Sequence, residues 1–199
     1  MLPQGTIMQF PDSIELIKYP SKSLYNKCLD VLPDEIDDKF RDFVTRMGKM
    51  CYLLRGFAIA ANQVVASKTL NVNIRTYDSF SVSGIQKRFF VLNSADDRLK
   101  EVFGSVAVVN PVIKEKRNPG KWKESCLSIP KVAAWNDRFL EIDVEFVNEV
   151  GQKKELTLKD LDAVLFQHEV GHLDGELFID KISSYEKNKV IGLINKLRK

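Results

Sequence analysis

The sequence predicts a protein of the α+β class, in which helices and an antiparallel sheet share one core. Apolar residues recur at three- and four-residue steps through residues 33–56, which is typical of an amphipathic helix. The middle of the chain changes to strand-like alternation, and helical patterns return over residues 160–173 and near the C-terminus. No linker-like tract divides these regions, so we expect a single domain, 1–199.

The first predicted helix covers residues 33–56. Pro33 and the acidic run that follows it mark the start, because acidic groups complement the positive end of the helix dipole, and Gly56 supplies the stop. The apolar stripe consists of Ile36, Phe40, Phe43, Val44, Met47, Met50, Cys51 and Leu54. We therefore interpret Cys51 as a core residue.

Strands are predicted for Phe89–Leu92, for residues 106–112 and for residues 140–146, of which the last alternates strictly. Gly151 marks a hairpin turn into a further strand over residues 154–158. The pattern therefore indicates an antiparallel sheet in the middle of the chain.

A second helix is predicted from Asp160 to Leu173 and ends at Asp174-Gly175. Residues 161, 165, 168 and 172 share one face of it, so both histidines of the chain are expected to point inward. A third helix near the C-terminus is predicted from the capping-box spacing of Ser183 and Glu186, and its apolar stripe consists of Val190, Ile191, Ile194 and Leu197.

Composition narrows the functional class. The 30 basic and 27 acidic residues give a net charge of +3, which is too small and too dispersed for a nucleic-acid substrate. No apolar run is long enough for a membrane span, and the opening segment lacks the order of a secretion signal. Three scattered cysteines do not form a disulfide framework, so we expect a cytoplasmic protein.

The second helix carries the pattern H-E-x-x-H, from His168 through Glu169 to His172. Four residues are slightly more than one helical turn, so both imidazoles can meet one metal ion. These are the only two histidines of the chain, and unpaired imidazoles on an apolar face would be costly to desolvate. We therefore favour a metal site over two structural core histidines.

A catalytic site of this type has three protein ligands and an open position for water. Cys126 is the best candidate for the third ligand, because a thiolate binds zinc or ferrous iron strongly and the surrounding residues resemble a strand end. Asp174, Glu176 and Asp180 remain alternatives of the kind that a typical H-E-x-x-H protease uses.

Three separated segments together resemble the signature of the peptide deformylase family, and their order and spacing also match. The segments are Gly56-Phe57-Ala58-Ile59-Ala60-Ala61-Asn62-Gln63, Glu124-Ser125-Cys126-Leu127-Ser128 and Gln167-His168-Glu169-Val170-Gly171-His172. A looser likeness covers nearly the whole chain. The resemblance implies antiparallel sheets around a central helix with H-E-x-x-H, a long N-terminal helix and a C-terminal helix.

The resemblance implies a metal-dependent hydrolase of protein biosynthesis. Cys126, His168 and His172 would bind one divalent ion, Fe²⁺ in the native enzyme, with Zn²⁺, Ni²⁺ or Co²⁺ possible in isolated protein. Glu169 would assist the attack of a metal-bound water on the N-formyl group of the N-terminal formyl-methionine, with release of formate. The substrates would be nascent polypeptides, processed co-translationally.

The same resemblance implies roles for the residues around the metal. The Gln63 side chain and the Leu127 backbone N–H would donate hydrogen bonds to the oxyanion. An extended peptide would pair with backbone groups while its methionine enters an apolar pocket. The residues expected at the substrate are Gly56, Phe57, Ala58, Leu127 and Val170.

The resemblance also bears on partners. We expect a monomer in the cytosol of a bacterium, or of a bacterium infected by a virus, with an organelle as the lesser alternative. The basic face of the C-terminal helix could touch the ribosome or could be solvated, and we favour the solvated face. That face consists of Lys187, Lys189, Lys196, Arg198 and Lys199.

Three positions depart from the family pattern. Ala58 replaces the second glycine of the first segment, Ser125 replaces the glycine before the cysteine, and Gly171 replaces the usual aspartate. We expect altered rate and substrate fit from these changes. In place of the lost aspartate we hypothesise that Glu124 and Arg138 pair behind the site, against the alternative of two solvated surface charges.

Two other functions share part of this residue pattern. A zinc endopeptidase would share the water activation but would need a carboxylate or a third histidine as ligand, and no third histidine exists. A silent protein that binds formylated N-termini is conceivable from the three departures. The presence of Gln63 and Glu169 argues against it.

Overall fold

A computed structural model describes residues 13–67, 84–92 and 107–197 of the chain. Val106, Arg198, Lys199 and the opening segment lie outside the described residues. The helices and strands are β1 (Ser13–Leu16), α1 (Asp38–Leu53), β2 (Ala58–Ala60), β3 (Val64–Ser67), β4 (Phe89–Leu92), β5 (Ala107–Cys126), β6 (Ile129–Val147), β7 (Lys153–Lys159), α2 (Asp160–Leu173) and α3 (Ser184–Leu197).

Five strands form an antiparallel sheet in the order β2-β4-β5-β6-β7, and β1 pairs with β3 in a separate two-stranded sheet. The hairpin of β5 and β6 dominates the sheet, and a two-residue turn, Leu127 and Ser128, closes it. Because Cys126 pairs with Ile129 across this turn, the hairpin end presents the cysteine. The α+β class and the antiparallel sheet are confirmed.

Both strands of this hairpin are longer than predicted. β5 extends to Cys126 and β6 begins at Ile129, whereas strands were predicted over residues 106–112 and 140–146. Register shifts interrupt the pairing near Val109, Ile113 and Ser125. Each bulge moves the side chains to the other face, and this breaks the simple alternation that reveals a strand.

The start of α1 was predicted too early. Pro33 begins a separate 3₁₀ turn, Pro33–Glu35, and the helix itself begins at Asp38. Asp37 is its N-cap, and the Asp37 side chain accepts a hydrogen bond from the Phe40 N–H at 2.8 Å. The acidic run therefore supplies the cap as well as charge for the helix dipole.

The end of α1 also differs from the prediction. The left-handed residue after the helix is Arg55, with φ 57°, and Gly56 donates its N–H to the Cys51 carbonyl at 2.9 Å. Gly56 is required for space instead: a Cβ there would lie 2.6 Å from Leu127 Cδ1 and 3.0 Å from Cys51 Sγ. The glycine thus brings the end of α1 close to the hairpin turn.

The other elements agree with the sequence. α2 has the predicted bounds, and Gly151 adopts φ 80° in the turn before β7. At the start of α3, Ser183 Oγ accepts from the Glu186 N–H, while the Glu186 carboxylate accepts from the Ser183 N–H, both at 3.3 Å. This is the predicted capping box.

The buried apolar residues form three clusters. One lies between the sheet and α2, around Phe90, Phe146 and Phe166. A second lies under α1 and includes Cys51, which confirms its place in the core. The third includes Cys126 and connects the hairpin end to α3. None of the helices in the described ranges is long and apolar enough to cross a membrane.

Candidate metal centre

The two histidines of α2 lie one turn apart with their ring centroids 5.0 Å from each other. His168 is 9% exposed and His172 is 1% exposed, so both point inward as predicted. The N-terminal part of this helix face does not point into the interior. Leu161 is 38% exposed, and both Leu161 and Leu165 line an open cleft. The face therefore turns from a cleft wall into the protein interior.

Cys126 meets these histidines from the end of β5. Its Sγ lies 3.2 Å from His172 Nε2, and the ligand atoms of Cys126, His168 and His172 all lie within 4.8 Å of one another. One thiol and two imidazoles are the donor set that zinc and ferrous iron accept, and separations of this size suit a single ion. The residues present fit a divalent metal ion.

The carboxylates considered as alternative ligands are engaged elsewhere. Asp174 pairs with Arg88 at 2.6 Å, and Glu176 pairs with Lys181 at 2.9 Å. Asp180 pairs with Lys187 at 2.6 Å and caps the Leu177 N–H at 3.0 Å. In residues 13–67, 84–92 and 107–197, the cluster around Cys126 is the one group of three that could hold a metal.

Glu124 and Arg138 pair directly behind the histidines. The Arg138 guanidinium donates to both carboxylate oxygens of Glu124, and His168 Nδ1 lies 2.7 Å from Glu124 Oε2. All three side chains are buried, so the hypothesised pair is present and the alternative of solvated surface charges is wrong. The contact orients the His168 ring and leaves its Nε2 for a metal.

Electrostatics of this group follow from burial and hydrogen bonds. Burial opposes ionisation of Glu124, but the hydrogen bonds from His168 and Arg138 outweigh it and lower the pKa of Glu124 to about 2. Burial disfavours the charged imidazolium of His168, yet contacts with Cys126 and Glu124 raise its pKa to about 10. Burial lowers the pKa of His172. A proton and a metal ion would therefore compete for His168.

Glu169 lies in α2, between the two histidines in the sequence, and borders the cleft. It is 3% exposed, and its Oε2 has no hydrogen-bond partner among the described residues. Burial is the main reason that its pKa is raised to about 7. A carboxylate with an unpartnered oxygen at the wall of an open cleft is suited to accept a proton.

Gln63 is fixed at both ends of its amide. Its Oε1 accepts from the Ala60 N–H at 2.8 Å, and its Nε2 donates to Ser128 Oγ at 3.0 Å and approaches Cys126 Sγ at 3.4 Å. The side chain is 2% exposed, so the amide lies inside the protein and not on a solvated loop. Leu127 follows Cys126 in the hairpin turn and lines the cleft.

The cleft has a volume of about 510 Å³ and contains four of the five predicted substrate residues: Gly56, Phe57, Ala58 and Leu127. Val170 is not among the lining residues. It packs against the core cluster around Phe90 and Phe166, on the sheet side of α2. Val170 lies inside the H-E-x-x-H segment, but adjacent helical residues point in different directions, so closeness to the histidines in the sequence did not place it in the cleft.

Several lining residues were missed by the sequence analysis. They are Leu16, Trp122, Pro130, Leu161, Val164 and Leu165. Val164 could have been found, because it precedes His168 by four residues and therefore lies one turn away on the same side of the helix. Leu16, Trp122 and Pro130 reach the cleft through tertiary contacts that no local pattern indicates.

None of the three departures is forced by the backbone. Ala58, in β2, pairs with Leu92 of β4 and is 7% exposed. Ser125 is exposed near the end of β5, and its φ is not left-handed. A Cβ at Gly171 would find its nearest neighbours at 3.7 and 3.9 Å. Alanine would therefore fit at position 171 without displacing anything.

Comparisons with known proteins agree with this geometry. A family model described as polypeptide deformylase matches residues 82–188. Peptide deformylase 2 of Xanthomonas axonopodis pv. citri is 30% identical over 94% of this chain and 96% of its own length, and the peptide deformylase of Aquifex aeolicus is 28% identical over 93% and 92%.

Solved structures show the same fold. The peptide deformylase of Plasmodium falciparum superposes with a TM-score of 0.72 at 29% identity, over 92% of this chain and 94% of that one. The structure from Thermotoga maritima gives a TM-score of 0.68 at 29% identity, over 85% and 97%. The fold, the family model and the relatives agree, and the chain belongs to the peptide deformylase family.

Proposed function

We propose that this enzyme removes the N-formyl group, as formate, from the N-terminal formyl-methionine of nascent polypeptides. The observation that carries the proposal is the buried cluster of Cys126, His168 and His172 beside a Glu169 carboxylate that borders the same cleft. Membership of the peptide deformylase family supports the activity. The roles of the individual residues are our proposal.

Cys126, His168 and His172 would hold one divalent ion, with Fe²⁺ as the native metal and Zn²⁺, Ni²⁺ or Co²⁺ as replacements. When bound, such an ion lowers the pKa of a water molecule and polarises a carbonyl oxygen. The Glu124 contact to His168 Nδ1 supports this role, because metal-ligating histidines commonly donate their other ring N–H to a carboxylate.

Glu169 moves the proton. It takes a proton from the attacking water as the water oxygen bonds to the formyl carbon. It then returns the proton to the amine nitrogen as the C–N bond breaks, and formate and a free N-terminal methionine leave. The unpartnered Oε2 of Glu169 supports this role, since nothing in the described residues competes for it.

Gln63 and Leu127 stabilise the oxyanion. The Gln63 amide is held by Ala60 and Ser128, so its orientation is fixed before the substrate arrives. The Leu127 backbone N–H follows Cys126 directly in the hairpin turn. Donors that are fixed in advance cost little reorganisation when charge develops on the formyl oxygen.

The substrate would lie along β2. This strand pairs with β4 on one side and is the edge of the five-stranded sheet in the described part of the chain. An extended peptide can therefore add beside Gly56, Phe57 and Ala58. Its methionine side chain would enter the apolar part of the cleft, against Leu127 and the α2 residues Val164 and Leu165.

We further propose that the enzyme works as a monomer in a bacterial cytosol, or in that of an infected bacterium, where formyl-methionine starts proteins. The basic face of α3 is interpreted as solvated. Lys187 of this face already pairs with Asp180, and Lys189 is exposed to solvent.

The test is formate release from formyl-Met-Ala-Ser by anaerobically purified, iron-loaded protein. Glu169→Ala should lower kcat by about 10²- to 10⁴-fold, because a general base contributes on that order. The matched control is Glu155→Ala, an exposed carboxylate on β7. It should keep full turnover.

Metal content is measured on each variant. Glu169→Ala should retain the metal, because Glu169 is not one of the proposed ligands. Wild-type protein that holds metal but releases no formate would overturn the proposal. A peptidase or a silent binding protein would then be the next hypotheses.

A further inference from the structure

Four basic side chains surround the opening of the cleft, and we call them the basic rim: Lys18, Arg55, Lys123 and Lys131. All four are exposed. They come from the loop after β1, the end of α1, β5 and β6. Lys123 and Lys131 share the β5–β6 hairpin, whereas Lys18 and Arg55 lie far from them in the sequence, so tertiary contacts bring the four charges around one opening.

Among the described residues, no carboxylate forms an ion pair with the basic rim. In the part of the chain that the structure describes, ion pairs are formed by basic side chains outside the rim. Examples are Arg117 with Asp143 and Lys87 with Glu35. The charge of the basic rim therefore acts on the solvent and on whatever enters the cleft.

The acidic residues of the cleft do not offset this charge. Among the described residues that line it, the acidic ones are Glu124 and Glu169, and both are buried. The charge of Glu124 is matched by Arg138, which donates two hydrogen bonds to it. An entering peptide therefore meets positive charge at the opening and an apolar wall deeper inside.

We infer that this enzyme prefers formyl-methionyl peptides that carry acidic side chains in the residues following the methionine. The inference rests on the proposed function. An extended peptide advances about 3.3 Å per residue, so the next two or three residues stay within roughly 10 Å of the methionine. That distance is comparable to the screening length of about 8 Å at physiological salt, so the rim charges act on these residues.

The expected preference is moderate. Exposed ion pairs contribute about two- to fivefold each, because water screens them and long side chains lose freedom. Two acidic residues should therefore raise kcat/KM by about fivefold or more at low salt, and the gain should shrink as ionic strength rises.

The test compares C-terminally amidated peptides: formyl-Met-Glu-Glu, formyl-Met-Gln-Gln and formyl-Met-Lys-Lys. The glutamate peptide should have the highest kcat/KM and the lysine peptide the lowest. A further arm gives formyl-Met-Gln-Gln a free C-terminal carboxylate. It separates attraction of side-chain carboxylates from attraction of a peptide terminus.

The variant Lys123→Gln/Lys131→Gln should bring the ratio of kcat/KM for the glutamate and glutamine peptides toward one. The matched control is Lys27→Gln/Lys39→Gln, since Lys27 and Lys39 are exposed lysines outside the cleft lining. It should leave the ratio unchanged.

Equal kcat/KM for the three amidated peptides overturns the inference, and so does a glutamate preference that is unchanged in Lys123→Gln/Lys131→Gln. Failure to release formate from any peptide, including formyl-Met-Ala-Ser, is a different result. That result would overturn the proposed function rather than the preference for acidic substrates.

Discussion

Arg138 donates two hydrogen bonds to the buried carboxylate of Glu124, from Nε at 2.7 Å and from Nη2 at 2.8 Å. The same carboxylate meets His168 Nδ1 at 2.7 Å. One buried ion pair therefore holds the ring of a candidate metal ligand. Its loss should affect both the stability of the fold and the affinity for metal.

Replacing Arg138 with glutamine should lower the free energy of unfolding by about 3–5 kcal/mol, because it leaves a buried carboxylate without its cation. The metal affinity should fall by about 10- to 100-fold as His168 loses its fixed orientation. Urea unfolding measures the first effect, and competition with a chelator for Zn²⁺ measures the second.

The control for this substitution is Arg41→Gln, which removes the pairing of Arg41 with exposed Asp38 on α1. It should cost no more than about 0.5 kcal/mol and should leave the metal affinity unchanged. If Arg138→Gln behaved like Arg41→Gln in both measurements, the buried pair would have no role in orienting His168.

The three cysteines should differ in reactivity. Burial raises the pKa of the Cys28 and Cys51 thiols to about 12, so few thiolates form at neutral pH. Cys126 borders the cleft and should be alkylated first in metal-free protein. Zn²⁺ should slow this labelling, and peptide mass spectrometry would follow each site. Labelling of Cys126 that Zn²⁺ does not affect would argue against Cys126 as a ligand.

Two glycine substitutions should have opposite effects. Gly171→Ala adds a Cβ inside α2 that makes only ordinary van der Waals contacts, at 3.7 and 3.9 Å, so stability should rise by about 0.5–1 kcal/mol from helix propensity. Gly56→Ala would place its Cβ 2.6 Å from Leu127 Cδ1 and should cost about 1–3 kcal/mol through overpacking. Chemical denaturation of both variants measures the difference. A destabilised Gly171→Ala protein would show that a glycine is needed there for another reason.

The Arg117 cluster on the hairpin should give a pH-dependent stability. The hydrogen bond from Arg117, followed by that from Thr157, lowers the pKa of Asp143 from 3.8 to about 2. A carboxyl with a lowered pKa stabilises the folded state above its ordinary pKa, and this contribution disappears as the pH falls toward 2.

Arg117→Gln should therefore raise the pKa of Asp143 toward 3.8. The difference in Tm between wild type and Arg117→Gln should narrow as the pH is lowered through this range. NMR titration of Asp143 and thermal unfolding provide the two measurements. Lys121→Gln is the control, because Lys121 approaches Asp137 only at 3.9 Å. A difference in Tm that stays constant with pH would contradict the assignment.

Local patterns predicted much of this fold. The bounds of α2 were correct because the shared helical face and the stop at Asp174-Gly175 agree. The start of α3 was correct because its capping box depends on two residues three positions apart. Signals of this kind lie within one or two turns of helix and need no knowledge of tertiary contacts.

Features that depend on tertiary contacts were harder to predict. The full length of β5 and β6 was hidden by bulges, and Asn110, with φ 50°, interrupts the pattern near one of them. The misplacement of Val170 and the missed Trp122 show the same limit for the cleft, because side-chain direction depends on how the elements pack. That residues 1–199 form a single domain stays a prediction.

The candidate ligands are widely spaced in the order of synthesis. Cys126 lies at the end of the β5–β6 hairpin, whereas His168 and His172 lie in α2. A polypeptide leaves the ribosome from its N-terminus, so the thiol is made well before the imidazoles. A partly synthesised chain that ends before residue 168 holds only one of the three donors. Metal binding by all three candidate ligands is therefore expected only after most of the chain has been translated, when the helix has docked onto the hairpin.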